Sequence, residues 1–184
     1  MAETIPATVW DGAWVSENLG VRLEGSGLPA LVGLALRDNP RRAHLLVSHV
    51  LGKHIPVEPH RVLGAARALA ERVRALRPGP YAVLGYAETA TGLGHGVASA
   101  LGSDDYLHST RRPVAGLAPW RGFEEEHSHA TGHLLLPDRA DPLAAPTVVL
   151  VDDELSTGRT VANTVRALPA GAAYLAAALV DVRA

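Results

Sequence analysis

Cysteine is absent from this chain of 184 residues. Its absence excludes a disulfide scaffold, a thiolate metal site and a cysteine nucleophile. Lysine is almost absent: Lys53 stands alone against 16 arginines. Phenylalanine and methionine occur once each, and aromatic residues make up only 4% of the chain. No run approaches the roughly 20 apolar residues of a membrane helix. Met1–Pro6 has no basic region followed by an apolar stretch, so no secretory leader is expected. Neither sign of charge dominates, with 17 basic against 19 acidic residues, and no basic stripe marks a nucleic-acid surface. These absences leave the expectation of a cytoplasmic domain that handles a small molecule, with neither nucleic acid nor membrane as partner.

What is present supports a folded domain. Hydrophobic residues make up 47% of the chain, enough for a sizeable core at this length. The abundance of alanine (31 residues) and arginine reads as GC-rich coding drift, under which a surface lysine is readily replaced by arginine. The surviving Lys53 then either marks a place that needs a compact ammonium rather than a planar guanidinium, or remains by chance.

The first 57 residues read as an N-terminal cap, with residues 58–184 as the core. Val21, Leu23 and the flanking glycines suggest a short hairpin or extended arm. Leu28–Arg37 is apolar enough for a buried helix, and Pro40 suits the first turn of another running to Leu51. Lys53 and His54 follow that stop. Val62, Leu63, Ala66, Leu69, Ala70, Val73 and Leu76 repeat at helical spacing and predict an amphipathic helix over 58–76. Arg67, Arg72, Arg74 and Arg77 would form its solvated face. From Tyr81 strand and helix patterns alternate. Strands are expected at 81–86, 105–110, 132–137, 147–152 and 174–182, with helices at 91–101 and 157–168. This alternation predicts a parallel α/β sheet flanked by helices. Residues 111–131 show no period and suggest a long lid or binding loop.

The chemistry concentrates in Val148-Val149-Leu150-Val151-Asp152-Asp153-Glu154-Leu155-Ser156-Thr157-Gly158-Arg159-Thr160. Four β-formers make a buried strand with two carboxylates at its carboxyl end, where open α/β sheets bind ligands. The Ser-Thr-Gly-Arg-Thr loop opens a helix and offers hydroxyls, backbone N–H groups and a partial positive charge to an anion of phosphate size. Carboxylates beside an anion nest suit a ligand that also presents hydroxyls or a metal, such as a sugar phosphate with Mg²⁺. The competing reading is an Asp-Asp turn with Ser156 or Thr157 capping the helix.

This segment resembles the phosphoribosyl pyrophosphate (PRPP) signature of type I phosphoribosyltransferases. The resemblance implies that Asp152 and Asp153 hold the ribose hydroxyls, while Ser156, Thr157, Gly158, Arg159 and Thr160 hold the 5′-phosphate. Glu154 departs from the family, where an apolar residue is usual. Ser156 departs from the Asp of 6-oxopurine enzymes, which disfavours a hypoxanthine or guanine acceptor and leaves an orotate-like or other non-6-oxopurine base. Gly85-Tyr86-Ala87-Glu88-Thr89-Ala90-Thr91-Gly92 agrees: the resemblance makes Tyr86, Ala87, Glu88 and Thr89 the pyrophosphate loop. Thr89 and Thr91 have helix capping as a competing role. His108-Ser109-Thr110-Arg111-Arg112 fits the start of the family's mobile loop, with Arg111 or Arg112 as the cation that meets leaving pyrophosphate; an exposed solubilising pair is the plainer reading. His127, His129 and His133 invite a metal reading, but no fourth ligand accompanies them. The remaining readings are a place near the base or pyrophosphate, or simple lid polarity. Glu124, Glu125 and Glu126 read as a solvated lid edge.

Almost the whole chain, including Leu46-Val47-Ser48-His49-Val50-Leu51-Gly52-Lys53-His54-Ile55-Pro56, is similar to orotate-phosphoribosyltransferase-like proteins of bacterial tellurite-resistance (stress) gene clusters. That similarity implies a small hood over the core, a long flexible lid, a homodimer, and Lys53 and His54 near the site, with Lys53, Arg111, Asp152 and Asp153 as the catalytic set. It also implies Mg²⁺ carried mainly by PRPP and water, with Asp152 or Asp153 as the only protein ligands in view. Trp10, Trp14 and Trp120 are candidates to stack on a flat base, though each also suits a core or interface. A PRPP sensor without turnover is the competing function on the same fold. PRPP synthesis ranks last, since no ATP site is visible.

Overall fold

The computed structural model describes residues 12–39, 42–124 and 132–183, in two compact units, Met1–Val57 and Glu58–Ala184. In the first unit, α1 (Ala13–Leu19) runs between Gly12 and Gly20, both with positive φ, and buries Val15. Residues 20–24 form no strand, so the hairpin expected around Val21 and Leu23 is not there. It forms later. α2 (Leu28–Leu31) is one turn long, and the chain continues as β1 (Val32–Leu36), antiparallel to β2 (His44–Ser48) from Val32↔Ser48 to Leu36↔His44.

Both helices expected over 28–51 are thereby corrected. A short apolar run does not separate a buried helix from a strand. Alternating burial of Val32 and Leu34, together with the cross-strand pairing, decides for strand. Pro40 itself lies outside the described residues.

The second unit begins with α3 (Pro59–Leu76), whose Ala66, Leu69, Ala70 and Val73 form a buried stripe, while Leu63 and Leu76, expected in it, are exposed. The four arginines expected on its solvated face are exposed, and two of them also bond back to the fold. Arg74 donates to the Ala100 carbonyl, and Arg77 donates from Nε to Thr147 Oγ1 at 3.0 Å. The elements then follow as β3 (Tyr81–Gly85), α4 (Ala90–Leu101), β4 (Tyr106–Thr110), β5 (Arg121–Glu124), β6 (Gly132–Leu135), β7 (Thr147–Leu155), α5 (Arg159–Ala167) and β8 (Ala173–Asp181).

The sheet order is β5-β6-β4-β3-β7-β8. β4, β3, β7 and β8 are parallel, as the strand–helix alternation predicts. β6 runs antiparallel to β4, and β5 antiparallel to β6, so the sheet is mixed rather than wholly parallel. β5 also corrects the aperiodic loop expected over 111–131: residues 121–124 carry too few apolar side chains to signal a strand alone, and pairing with β6 makes them one. Among the described residues no helix is long and apolar enough to cross a membrane.

α3 and α4 cover one face of the sheet, and the approach of α4 is set by glycine. A Cβ on Gly85 would lie 2.8 Å from the Ala90 carbonyl oxygen and 2.9 Å from the Tyr106 hydroxyl; one on Gly94 would lie 2.8 Å from Gly85 Cα. Tyr106 Oη, beside this contact, donates to the Thr91 carbonyl at 2.6 Å, and burial pushes its phenol up to about 12. The opposite face carries the cluster of Leu84, Tyr86, Phe123, Leu135, Val148 and Leu150, against which Val161 and Val165 of α5 pack. Fully burying each such aliphatic side chain stabilises by roughly 1.5–3 kcal/mol.

Gly85→Ala is expected to cost about 1–3 kcal/mol in chemical denaturation, because backbone blocks the new methyl. Gly64→Ala in α3, where nothing lies within 4 Å, is expected to gain about 0.5–1 kcal/mol. Tyr106 is held protonated in the fold, so its stabilisation is complete below pH 10 and is lost as pH rises toward about 12. Denaturation midpoints of wild type and Tyr106→Phe, compared across that range, should show this extra loss in the wild type alone.

Candidate active site

The strand order places a crevice. From β3 the chain passes through α4 on one face to β4; from β7 it passes through α5 on the other face to β8. The connections therefore diverge between β3 and β7, and such a switch point leaves an opening outside the carboxyl ends of the strands. β3 ends at Gly85, opposite Val151, while β7 continues to Leu155. The Tyr86 amide still bonds to the Val151 carbonyl at 3.0 Å, which starts the next loop beside Asp152.

The strand at the diacid is longer than the expected 147–152. It carries Asp152, Asp153 and Glu154 as partly buried strand residues, paired with β8 through Asp152↔Ala178 and Glu154↔Val180. Alternation puts Asp152 on the face of Val148 and Leu150, and Asp153 on the face of Val149 and Val151. The carboxylates thus straddle the strand, and Asp152 Oδ1 accepts from the Asp153 amide at 2.9 Å. Tyr86 is on the Asp152 side. Its phenol is driven well above the ordinary tyrosine range by burial first, with the Asp152 charge adding to the rise and the Thr164 hydrogen bond opposing it. It stays neutral and donates to Thr164 Oγ1 at 2.9 Å; Thr164 in turn donates to the Thr160 carbonyl at 2.7 Å. That chain joins the end of β3 to the first turn of α5.

Ser156 and Thr157 are exposed, and Gly158, at φ 74, is the residue from which α5 starts. Gly158 has no side chain to cap the helix, but Thr157 Oγ1 accepts from the Arg159 amide at 3.3 Å, so the capping role weighed for Thr157 is met at the first helical amide. Arg159 is exposed and Thr160 half-buried. At the other loop, the Ala87–Glu88 peptide is cis, Ala87 is buried and Glu88 exposed. No side chain caps α4 at Thr89, whereas Thr91 donates to the Glu88 carbonyl at 3.0 Å.

Arg111 and Arg112 separate clearly. Arg111 is half-buried and donates from Nη2 toward the Ala87 carbonyl at 3.4 Å, while Arg112 is exposed. Lys53 and His54 belong to the other unit, where both are exposed in the segment after β2. Trp14 is exposed in α1, and Trp120 packs against the core cluster. Trp10, Glu125, Glu126, His127 and His129 lie outside the described residues.

His133 is buried at 1% exposure, so lid polarity does not describe it. Its Nδ1 meets Ser109 Oγ at 2.8 Å, and Ser109 Oγ accepts from the Ala87 amide at 2.8 Å. Sequence reasoning left Ser109 without a role, because its partner is 24 residues away and only the β4–β6 pairing joins them. Among the described residues no group of three or more His, Asp or Glu side chains could hold a metal. Asp152 and Asp153 do offer hard oxygen donors, which fits a Mg²⁺ held chiefly by substrate phosphates and water with one carboxylate in reach.

The combination of a mixed α/β sheet, a strand-end diacid and two helix-opening loops is that of the type I phosphoribosyltransferases. The chain belongs to the phosphoribosyl transferase family, whose model matches residues 31–184. Among solved structures it is similar to adenine phosphoribosyltransferase from Saccharomyces cerevisiae (15% identity over 84% of this chain and 86% of that one, TM-score 0.56). It is also similar to the adenine phosphoribosyltransferases from Rhodothermus marinus (17%, 84% and 96%, TM-score 0.55) and Leishmania tarentolae (22%, 83% and 73%, TM-score 0.56). At these identities the likeness is one of fold. No curated protein matches the sequence.

At Gly158 the left-handed backbone makes a direct prediction. Gly158→Ala should cost about 1–2 kcal/mol, and Gly158→Asn less, since Asn visits this conformation more readily. Paired urea unfolding curves give the comparison.

Proposed function

We propose that this chain transfers the phosphoribosyl group of PRPP to a nucleobase-like acceptor, with an orotate-like or other non-6-oxopurine base favoured by Ser156. The single observation that carries the reading is the convergence of the straddling diacid with two helix-opening loops at the carboxyl ends of β3 and β7. In the reaction the bond from ribose C1 to pyrophosphate breaks, a bond from C1 to an acceptor nitrogen forms on the opposite face, and the acceptor loses its proton. No covalent enzyme intermediate is needed. The protein contributes positioning and charge stabilisation.

Asp152 and Asp153, one on each side of the strand, suit two neighbouring ribose hydroxyls. The 156–160 loop and the start of α5 suit the 5′-phosphate, and the 86–89 loop suits pyrophosphate. Arg111, bonded to the Ala87 carbonyl, stands where a cation would meet the leaving group. Arg112, being exposed, is the weaker candidate. Mg²⁺, when bound, neutralises pyrophosphate charge. The parts assigned to Lys53 and His54, the homodimer and the link to tellurite-resistance gene clusters rest on sequence resemblance alone, and the cytoplasmic location on what the sequence lacks.

The test is pyrophosphate release from PRPP and Mg²⁺ with a pooled panel of nucleobases and related heterocycles. Release is expected, and splitting the pool names the acceptor. The Asp152→Asn/Asp153→Asn double variant should weaken PRPP binding about 100-fold or more, since two charge-assisted hydrogen bonds are lost. Wild-type affinity in that variant would overturn the assignment. PRPP binding without release for any acceptor would turn the reading toward a sensor.

A further inference from the structure

We infer that Ser109 and His133 are positioning residues for the 86–89 loop, setting its Ala87 amide from behind and thereby tuning the site for pyrophosphate specifically. The inference rests on the reading of that loop as the pyrophosphate site. It starts from two polar side chains in the wrong place for chemistry: Ser109 is 0% exposed and His133 is 1% exposed, so neither touches a ligand. A buried polar group is costly unless it is hydrogen-bonded, and Ser109 bonds both to His133 and to one loop amide. Ser109 Oγ accepts from the Ala87 N–H at 2.8 Å and meets His133 Nδ1 at 2.8 Å.

The imidazole is fixed as firmly as the hydroxyl. His133 stands directly across from Phe123 in the β5–β6 pair, and the two rings stack at 4.7 Å with planes 11° apart. Tyr86 meets both edge-on, at 5.7 Å from Phe123 and 6.2 Å from His133. Ser109 lies across from Leu135 in β4–β6, which makes His133 its diagonal neighbour on the same face. The antiparallel extension of the sheet therefore supplies a rigid wall behind Tyr86 and Ala87. Beyond Ala87, Glu88 is exposed, and its carbonyl accepts from the Thr91 hydroxyl at 3.0 Å. Because its Ala87 N–H is spent on Ser109, the loop is held in place before ligand arrives; its remaining groups lose little ordering entropy on binding, and small misplacements of them weaken binding steeply. Ser109 bonds directly to the 86–89 loop, whereas the 156–160 loop is reached from this wall through Tyr86, Thr164 and the Thr160 carbonyl, so the direct effect is confined to the pyrophosphate site.

That confinement gives the test. Calorimetric titrations with Mg²⁺-pyrophosphate and, separately, ribose 5-phosphate are run on wild type, Ser109→Ala, His133→Leu and His133→Asn. Wild type is expected to bind both. Ser109→Ala and His133→Leu are expected to lose about 10-fold or more in pyrophosphate affinity while ribose 5-phosphate affinity stays within about 2-fold. His133→Asn, whose amide can occupy the place of Nδ1, is expected to recover most of the loss. Equal weakening of both ligands, no weakening, or failure of His133→Asn to recover when it is folded by circular dichroism would overturn the positioning role. Wild type binding ribose 5-phosphate but not pyrophosphate would overturn the reading of the 86–89 loop beneath it, with the diacid and the 5′-phosphate loop left standing.

Discussion

The register of β3 against β7 is the constraint on which the rest of the site depends. The two strands are locked side by side from Tyr81↔Thr147 to Gly85↔Val151, and then only β7 continues. Because β3 stops first, its following loop turns out beside the carboxylate of Asp152. Because β7 stays paired with β8, the diacid is presented from a strand, not from a loose turn. A shift of one residue in that register would exchange the faces of Asp152 and Asp153 and swap Val148 and Leu150 with Val149 and Val151 between the two buried faces. The unbroken buried run Val148–Val151, packed on both faces of the sheet, thus secures the geometry of the polar residues that follow it.

Around that frame, buried polar bonds do what apolar packing cannot: they set directions. Tyr86 is joined through Thr164 to the start of α5, Ala87 through Ser109 to His133, and Arg111 to the Ala87 carbonyl. Each bond ends at main chain or at a side chain one bond from it, so each fixes the course of a loop. Gly85 and Gly94 supply the other half of the arrangement, letting α4 approach β3 closely enough that the loop between them is short. The site is therefore assembled from strand ends whose own positions the core determines.

How much of this is legible in the sequence varies with how local the cause is. Strand, diacid, anion loop and helix over 148–168 lie in one continuous segment, and the helical period of α3 is complete within itself. The strand and helix of the first and the helix of the second read correctly to within a few residues at their ends. Residues 28–51 misled because their apolar runs fit either period, and the partner that decides for strand is another segment of the same ambiguous kind. β5 has little apolar character of its own and exists through β6. Arg74 of α3 and Arg77 just after it are exposed as expected, but their bonds to the Ala100 carbonyl and the Thr147 hydroxyl were not legible because those acceptors are far away in sequence.

The sequence by itself determined the class of chemistry, since a diacid followed by a hydroxyl- and glycine-rich helix start needs no distant partner to declare what it suits. Tertiary structure alone decided the rest: that Arg111 and not Arg112 meets the 86–89 loop, that the two acids straddle their strand, and that Ser109 and His133 sit behind Ala87. The physical reason is the same in each case. Directions of side chains across a sheet are set by pairing between strands separated along the chain, and a hydrogen bond across that separation leaves no trace in the spacing of either partner.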